Sequence, residues 1–256
     1  MGALGRVAEM NSLNRLIQIT KQILESRYRD ARVIFLAGSI IRGEGTPYSD
    51  LDLVVILDKL PNAYRESFYF QGYPVEAFVH DPETLNYFFF ESDRPTGIPS
   101  LAQMVLEGIE VPEPGELSQS LKRLAASLIE SRPPKLSDGD IRKLRYNITN
   151  LVDDIRHPRS REEMIATGTE LYGAVADYYF RVNELWSAKA KSIPRILKNA
   201  DPDLYSRFCA AFDELFVGGR SEKVIALAEE LLKPHGGFLF EGYKLDAPAA
   251  YRKPIG

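Results

Sequence analysis

Cysteine is almost absent from this chain: Cys209 stands alone among 256 residues. That excludes an intrachain disulfide and a cysteine-rich metal site. Histidine is nearly as scarce. His80, His157 and His235 lie far apart in sequence, which speaks against a histidine-based zinc site. No apolar run reaches transmembrane length. The first ten residues lack the apolar core of a signal peptide. Arg6 stands where a myristoylation motif needs Ser or Thr. The expectation is a cytoplasmic protein without membrane attachment. A large charge imbalance is also missing: 32 basic and 36 acidic residues are interspersed, for a net charge of −4. A broad nucleic-acid surface, which needs a basic stripe, is therefore not expected. A local basic pocket for phosphates stays compatible with this balance. Internal repeats and low-complexity tracts are absent as well.

What is present is an ordinary globular composition, 45% apolar, in a chain long enough for one large domain or two small ones. Apolar residues from about Asn11 to Tyr28 recur at helical spacing and predict an amphipathic helix. Strands are expected near Arg32–Ala37 and Asp52–Leu57. Ser67–Gln71 and Tyr73–His80, separated by Gly72, read as a hairpin and a further strand. Asp81-Pro82 starts a helix through Tyr87 and Phe90, and another runs from about Pro99 to Gly108. Val111-Pro-Glu-Pro-Gly115 is the best boundary. Everything after it reads helical. Ser137/Asp140 and Ser160/Glu163 have capping-box spacing at the heads of two long helices. Two more cover roughly Pro202–Phe216 and Glu222–Leu232, the last closed by Pro234 and Gly236. The expected class is α+β: a small mixed-sheet domain over residues 1–112, then an all-helical bundle over 113–256.

The richest stretch begins where Arg32–Ala37 ends. Gly38-Ser39 turns the first strand into a short helix or loop, Ile40–Gly45. After a ten-residue gap, Asp50-Leu51-Asp52 opens the second apolar strand. Residues i and i+2 of a strand share a face, so Asp50 and Asp52 lie side by side. Two carboxylates about 5 Å apart repel by roughly 3 kcal/mol at an effective dielectric of about 20. Such a pair at the mouth of an apolar strand calls for a cation. Paired hard oxygens suit Mg²⁺, which also takes oxygens from a substrate phosphate.

Gly38-Ser39, the gap, and Asp50-Leu51-Asp52 within a buried strand resemble the signature of the nucleotidyltransferase superfamily, with its polymerase β-like catalytic fold. The string from Gly38 to Leu53 is especially similar to minimal nucleotidyltransferases and to aminoglycoside and lincosamide nucleotidyltransferases. The order of a small α/β domain followed by helices resembles kanamycin- and streptomycin-type enzymes. The resemblance implies transfer of a nucleoside monophosphate, AMP from ATP or another NTP as donor, to a hydroxylated small-molecule acceptor held between the domains. It implies Mg²⁺, two ions in the usual arrangement.

Each site residue also has a plainer reading. An isolated Gly-Ser is most often a strand-to-helix turn. With the aspartate pair downstream, Gly38 instead permits close approach of the backbone, and Ser39 with the following amides would hold phosphates at a helix N-terminus. Asp50 and Asp52 would ligate metal, since a cap needs only one carboxylate. The resemblance implies a third carboxylate on a neighbouring strand, as ligand or general base. Glu76, inside the apolar segment Tyr73–Val79, is the choice, with Glu66, Asp81 and Glu83 as rivals. Arg42 could neutralise the leaving pyrophosphate, or be a solvated surface arginine. Related two-domain enzymes bring a helical-domain lysine to the phosphates, and Lys191, ahead of Lys189, is the candidate. Trp186, Tyr178 and Tyr179 could line an acceptor cleft, or be core. Asp153-Asp154 could attract a cationic acceptor, or be one solvated face. Two other functions stay open. One is an antitoxin-type or protein-modifying (AMPylating) enzyme; no histidine follows an arginine at the four-to-six-residue spacing of an RNase-type toxin partner. The other is a nucleotide-binding protein that has lost catalysis.

Overall fold

A computed structural model of the chain describes residues 3–46 and 48–252, with side chains from residue 13 onward. The chain forms two compact units, Met1–Pro133 and Pro134–Gly256. The first opens with helix α1 (Ala3–Ser26), which buries Leu16, Ile19 and Ile23 at helical spacing. Five strands follow: β1 (Ala31–Ala37), β2 (Leu51–Leu57), β3 (Tyr64–Phe70), β4 (Tyr73–His80) and, later, β5 (Ile109–Val111). They make one sheet in the order β3-β4-β2-β1-β5. The β2–β4 pairing is parallel and the others are antiparallel. The sheet is mixed, as α+β patterning requires.

Alternation along each strand assigns the faces. Leu51, Leu53 and Val55 of β2, with Val75, Ala77 and Val79 of β4 and Ile34 and Leu36 of β1, point toward α1 and form a buried cluster. The opposite face carries Phe35, Val54 and Ile56. Here α2 (Pro82–Tyr87), a π-helical turn (Phe88–Asp93), α3 (Arg94–Thr96), α4 (Ser100–Glu107) and α5 (Glu116–Glu130) supply the buried Leu85, Phe89, Leu101, Ala102, Val105, Leu121 and Leu128. The β3–β4 hairpin turns on two residues, Gln71 and Gly72, both at positive φ (49° and 83°). That is the turn whose twist matches paired strands.

The second unit contains α6 (Asp138–Arg156), α7 (Arg161–Val182), α8 (Ser192–Ala200), α9 (Pro202–Phe216) and α10 (Glu222–Leu232) around one apolar cluster. Among the described residues it holds no strand. The Ser137/Asp140 capping box closes in both directions, each backbone amide 3.1 Å from the other side chain. At α7 only half of the expected box forms. Ser160 Oγ accepts from the Glu163 amide, while the Glu163 carboxylate turns to the Arg159 guanidinium at 3.0 Å. The short α3 and the longer α5 and α8 had no separate expectation.

The boundary differs from the expected 112/113. Pro112–Gly115 is only the turn into α5, and α5 packs on α4 with Leu121, Ala125 and Leu128 buried. The α5 side chain of Lys122 donates to Gly108 O at 2.8 Å and pairs with Glu110 at 3.0 Å. The break falls instead at Ser131–Pro134, where Arg132 adopts positive φ and two prolines follow.

Candidate active site

Gly38 ends β1 and Asp52 lies opposite Ala37 on β2. Gly38 has φ +86°, and a Cβ built there would sit 1.9 Å from Asp52 Oδ2. Only glycine leaves room for the Asp52 carboxylate against this backbone. The segment after it is not a helix. Residues 39–43 form successive turns, with Glu44 N donating to Ser39 O at 2.9 Å and Gly43 N to Ile40 O at 3.1 Å. Gly43, at φ +72°, interrupts the right-handed conformation a helix needs. The expected helix N-terminus behind Ser39 is therefore absent, and any anion there would meet loop amides. Ser39 Oγ donates to Ser49 Oγ at 3.3 Å, and Ser49 Oγ also accepts from Thr46 N at 2.9 Å. Ser49, which nothing in the sequence singled out, ties the loop to the start of β2.

Glu76 faces away from Val75 and Ala77, which are buried in the α1-side core. In the parallel β2–β4 pairing it stands directly beside Asp52. One carboxylate oxygen each from Asp50, Asp52 and Glu76 lies within 4.8 Å of the other two, and all three residues are half-buried. Hard oxygen donors at this separation fit a divalent cation such as Mg²⁺. Asp52 and Glu76 come from two adjacent strands and Asp50 immediately precedes one of them, so the Asp52–Glu76 spacing is set by main-chain pairing.

The rivals of Glu76 are engaged elsewhere. Glu66 points to the α1 side, where it pairs with Arg27 and accepts from Tyr28 Oη at 2.6 Å. The Arg27 guanidinium holds its carboxyl below the ordinary range; burial opposes this and the Tyr28 hydroxyl assists. Asp81 caps α2, accepting from Thr84 N at 2.8 Å and Leu60 N at 3.1 Å. Glu83 pairs with Lys59.

Arg65, also unexpected, pairs with Glu76 from β3 and lies 4.9 Å over the Phe78 ring. Its signal was present in the hairpin. A two-residue turn at Gln71-Gly72 sets Ser67 opposite Glu76 and Arg65 opposite Phe78, all on the carboxylate face. Arg42 is held by two acids, Glu44 at 3.0 Å and Glu107 at 3.4 Å. Further along this face of β4, burial pushes the His80 imidazole down to about 4, so it is neutral at physiological pH.

The remaining expected residues belong to the second unit. Lys189 and Lys191 are exposed just ahead of α8. Tyr178 is fully buried with its hydroxyl 2.9 Å from His235 Nδ1, and Tyr179 donates to Asp201 at 3.3 Å. Both belong to the packing of the helical core. Asp153 pairs with Arg156 at 3.3 Å. No helix among the described residues is long and apolar enough to cross a membrane.

Residues 17–102 match the family described as nucleotidyltransferase domain. Among solved structures the chain is similar to a nucleotidyltransferase-like protein from Exiguobacterium sibiricum. That match has 15% sequence identity and a TM-score of 0.44, over 86% of this chain and 75% of that one. No curated protein matches. The matched family span starts inside α1, ends inside α4 and takes in all three carboxylates and Gly38, so this chain carries a domain of the nucleotidyltransferase superfamily.

Proposed function

We propose that the protein transfers a nucleoside monophosphate, AMP from ATP, to a hydroxyl of a small-molecule acceptor, with Mg²⁺ as the metal. The observation that carries this reading is the convergence of Asp50, Asp52 and Glu76 beside a glycine that no other residue could replace without displacing Asp52. The three carboxylates would hold the ions; when bound, these neutralise phosphate oxygens and stabilise the entering and leaving oxygens.

The chain's own residues divide the remaining work. Gly38 lets the donor phosphates come close to the backbone, and Ser39 with the loop amides donates to the β- and γ-phosphates. Glu76 takes the proton from the acceptor hydroxyl. That oxygen then bonds to the α-phosphorus as the bond to the bridging oxygen breaks, and pyrophosphate leaves with the electron pair. Arg42 reaches the leaving group only by exchanging its present partners, Glu44 and Glu107.

The test is pyrophosphate release from each NTP with Mg²⁺, over a panel of hydroxylated metabolites, aminoglycosides and purified proteins. The expected result is Mg²⁺-dependent release that tracks nucleotidylated acceptor and is lost in Asp50→Asn. Wild-type protein that binds no nucleotide in the presence of Mg²⁺ or Mn²⁺ refutes the reading.

A further inference from the structure

The sheet order places four positions in a row on the carboxylate face. Ser67 of β3 stands opposite Glu76 of β4, Glu76 beside Asp52 of β2, and Asp52 opposite Ala37 of β1, which Gly38 follows. On the reading given above, the donor phosphates occupy the Gly38–Ser39 end of that row and Glu76 deprotonates the acceptor. In-line displacement requires entering and leaving oxygens on opposite sides of the α-phosphorus. The leaving pyrophosphate lies toward β1, so the hydroxyl comes in from the β3 side. The floor of the acceptor site is then the edge strand β3.

The side chains that β3 presents on this face are Arg65, Ser67 and Tyr69. The Arg65 side chain is 59% exposed, and Tyr69 is 80% exposed. Phe78 lies beneath the guanidinium, 4.9 Å from it, in reach of a cation–π contact. Its partner in the structure is Glu76. Commitment of Glu76 to a metal ion or to the acceptor hydroxyl withdraws that partner and leaves the Arg65 donors facing the incoming molecule. A planar guanidinium so placed pairs bidentately with a carboxylate or phosphate and repels ammonium groups.

We propose that the acceptor is a small hydroxyl compound bearing a carboxylate or phosphate, which Arg65 recognises at the β3 edge of the site, rather than a polycation of the aminoglycoside type. This rests on the nucleotidyl-transfer reading and narrows it to one class of acceptor.

The experiment uses the full chain saturated with Mg²⁺ and a non-hydrolysable α,β-methylene NTP. Glycerol 3-phosphate, glycerate, glycerol and kanamycin are titrated calorimetrically into wild type, Arg65→Lys and Arg65→Gln. Arg65 lies on an exposed edge, so the substitutions remove little buried surface. Glycerol 3-phosphate and glycerate separate the phosphate and carboxylate sources. The affinity ratio of either anion to glycerol, taken within one protein, cancels any effect of the substitution on metal or nucleotide. The expected ratio is about tenfold or more in wild type for at least one anion, partly kept in Arg65→Lys and about one in Arg65→Gln. Tighter binding of kanamycin than of both anions by wild type overturns the proposal, as does an anion ratio that is near one in wild type or unchanged in Arg65→Gln. Failure of the underlying reading shows separately, as no Mg²⁺-dependent nucleotide binding at the saturation step.

Discussion

Replacing Gly38 by alanine should disable the site through one added methyl group. The new Cβ would lie 1.9 Å from Asp52 Oδ2, 2.8 Å from Cγ and 2.9 Å from Cβ. Ordinary carbon contacts begin near about 3.5 Å, so the carboxylate must swing away by more than about 1 Å. Such a displacement of a reacting group costs about a hundredfold in rate. The backbone adds a separate cost, since alanine at φ +86° loses about 1–2 kcal/mol of stability. Gly43 separates the two effects. It has φ +72°, yet a Cβ there meets nothing within 4 Å. Gly43→Ala should therefore lose similar stability in urea unfolding and keep metal-supported nucleotide binding. Gly38→Ala should lose the stability and about a hundredfold in turnover, with weakened metal binding. If the two variants bind Mn²⁺ and nucleotide equally well, the close packing of Gly38 on Asp52 does not shape the site.

Other perturbations follow from the same geometry. Glu76→Gln should reduce turnover by about 10²–10⁴-fold while nucleotide affinity falls far less, measured as single-turnover rate against calorimetric affinity. Glu66, held below its ordinary 4.5 chiefly by Arg27, stabilises the fold fully above about pH 4.5 and loses that contribution as pH falls through the depressed value. Glu66→Gln should thus lower Tm at neutral pH, and its gap from wild type should close in acid; a constant gap in a Tm-against-pH series contradicts this. In the helical unit, the buried Arg145 donates at 2.8 Å to both Gly236 O and Gly237 O. Arg145→Met should cost about 2–4 kcal/mol in urea unfolding of that unit, because two carbonyls lose their partner.

The carboxylate site was legible because its geometry is local. Asp50 immediately precedes a strand and Asp52 lies within it, two residues on, and the strand's apolar neighbours fix its faces. Glu76 is likewise flanked by buried Val75 and Ala77, so alternation alone aims it at the aspartates once β4 pairs with β2. The Ser137 and Asp81 caps were readable for the same reason, each being a contact within four residues. Pairings across the chain were not. The Arg65–Glu76 contact depends on hairpin register, and the Arg42 contact with Glu107 spans 65 positions. Punctuation by Pro112, Pro114 and Gly115 marks a turn, whereas the division into compact units depends on which core the next helix joins. Helix α5 packs on α4 and so belongs to the sheet-bearing unit, which ends at Pro133.

The central claim is that Asp50, Asp52 and Glu76 form a metal-dependent nucleotide site. It is tested most directly by calorimetric titration of a non-hydrolysable ATP analogue into wild type and the Asp50→Asn/Asp52→Asn double variant, each with and without Mn²⁺. The account predicts binding by wild type that requires the ion, and loss of that ion-dependent component in the double variant with its fold intact by circular dichroism. Equal ion-dependent binding by the two proteins would contradict it.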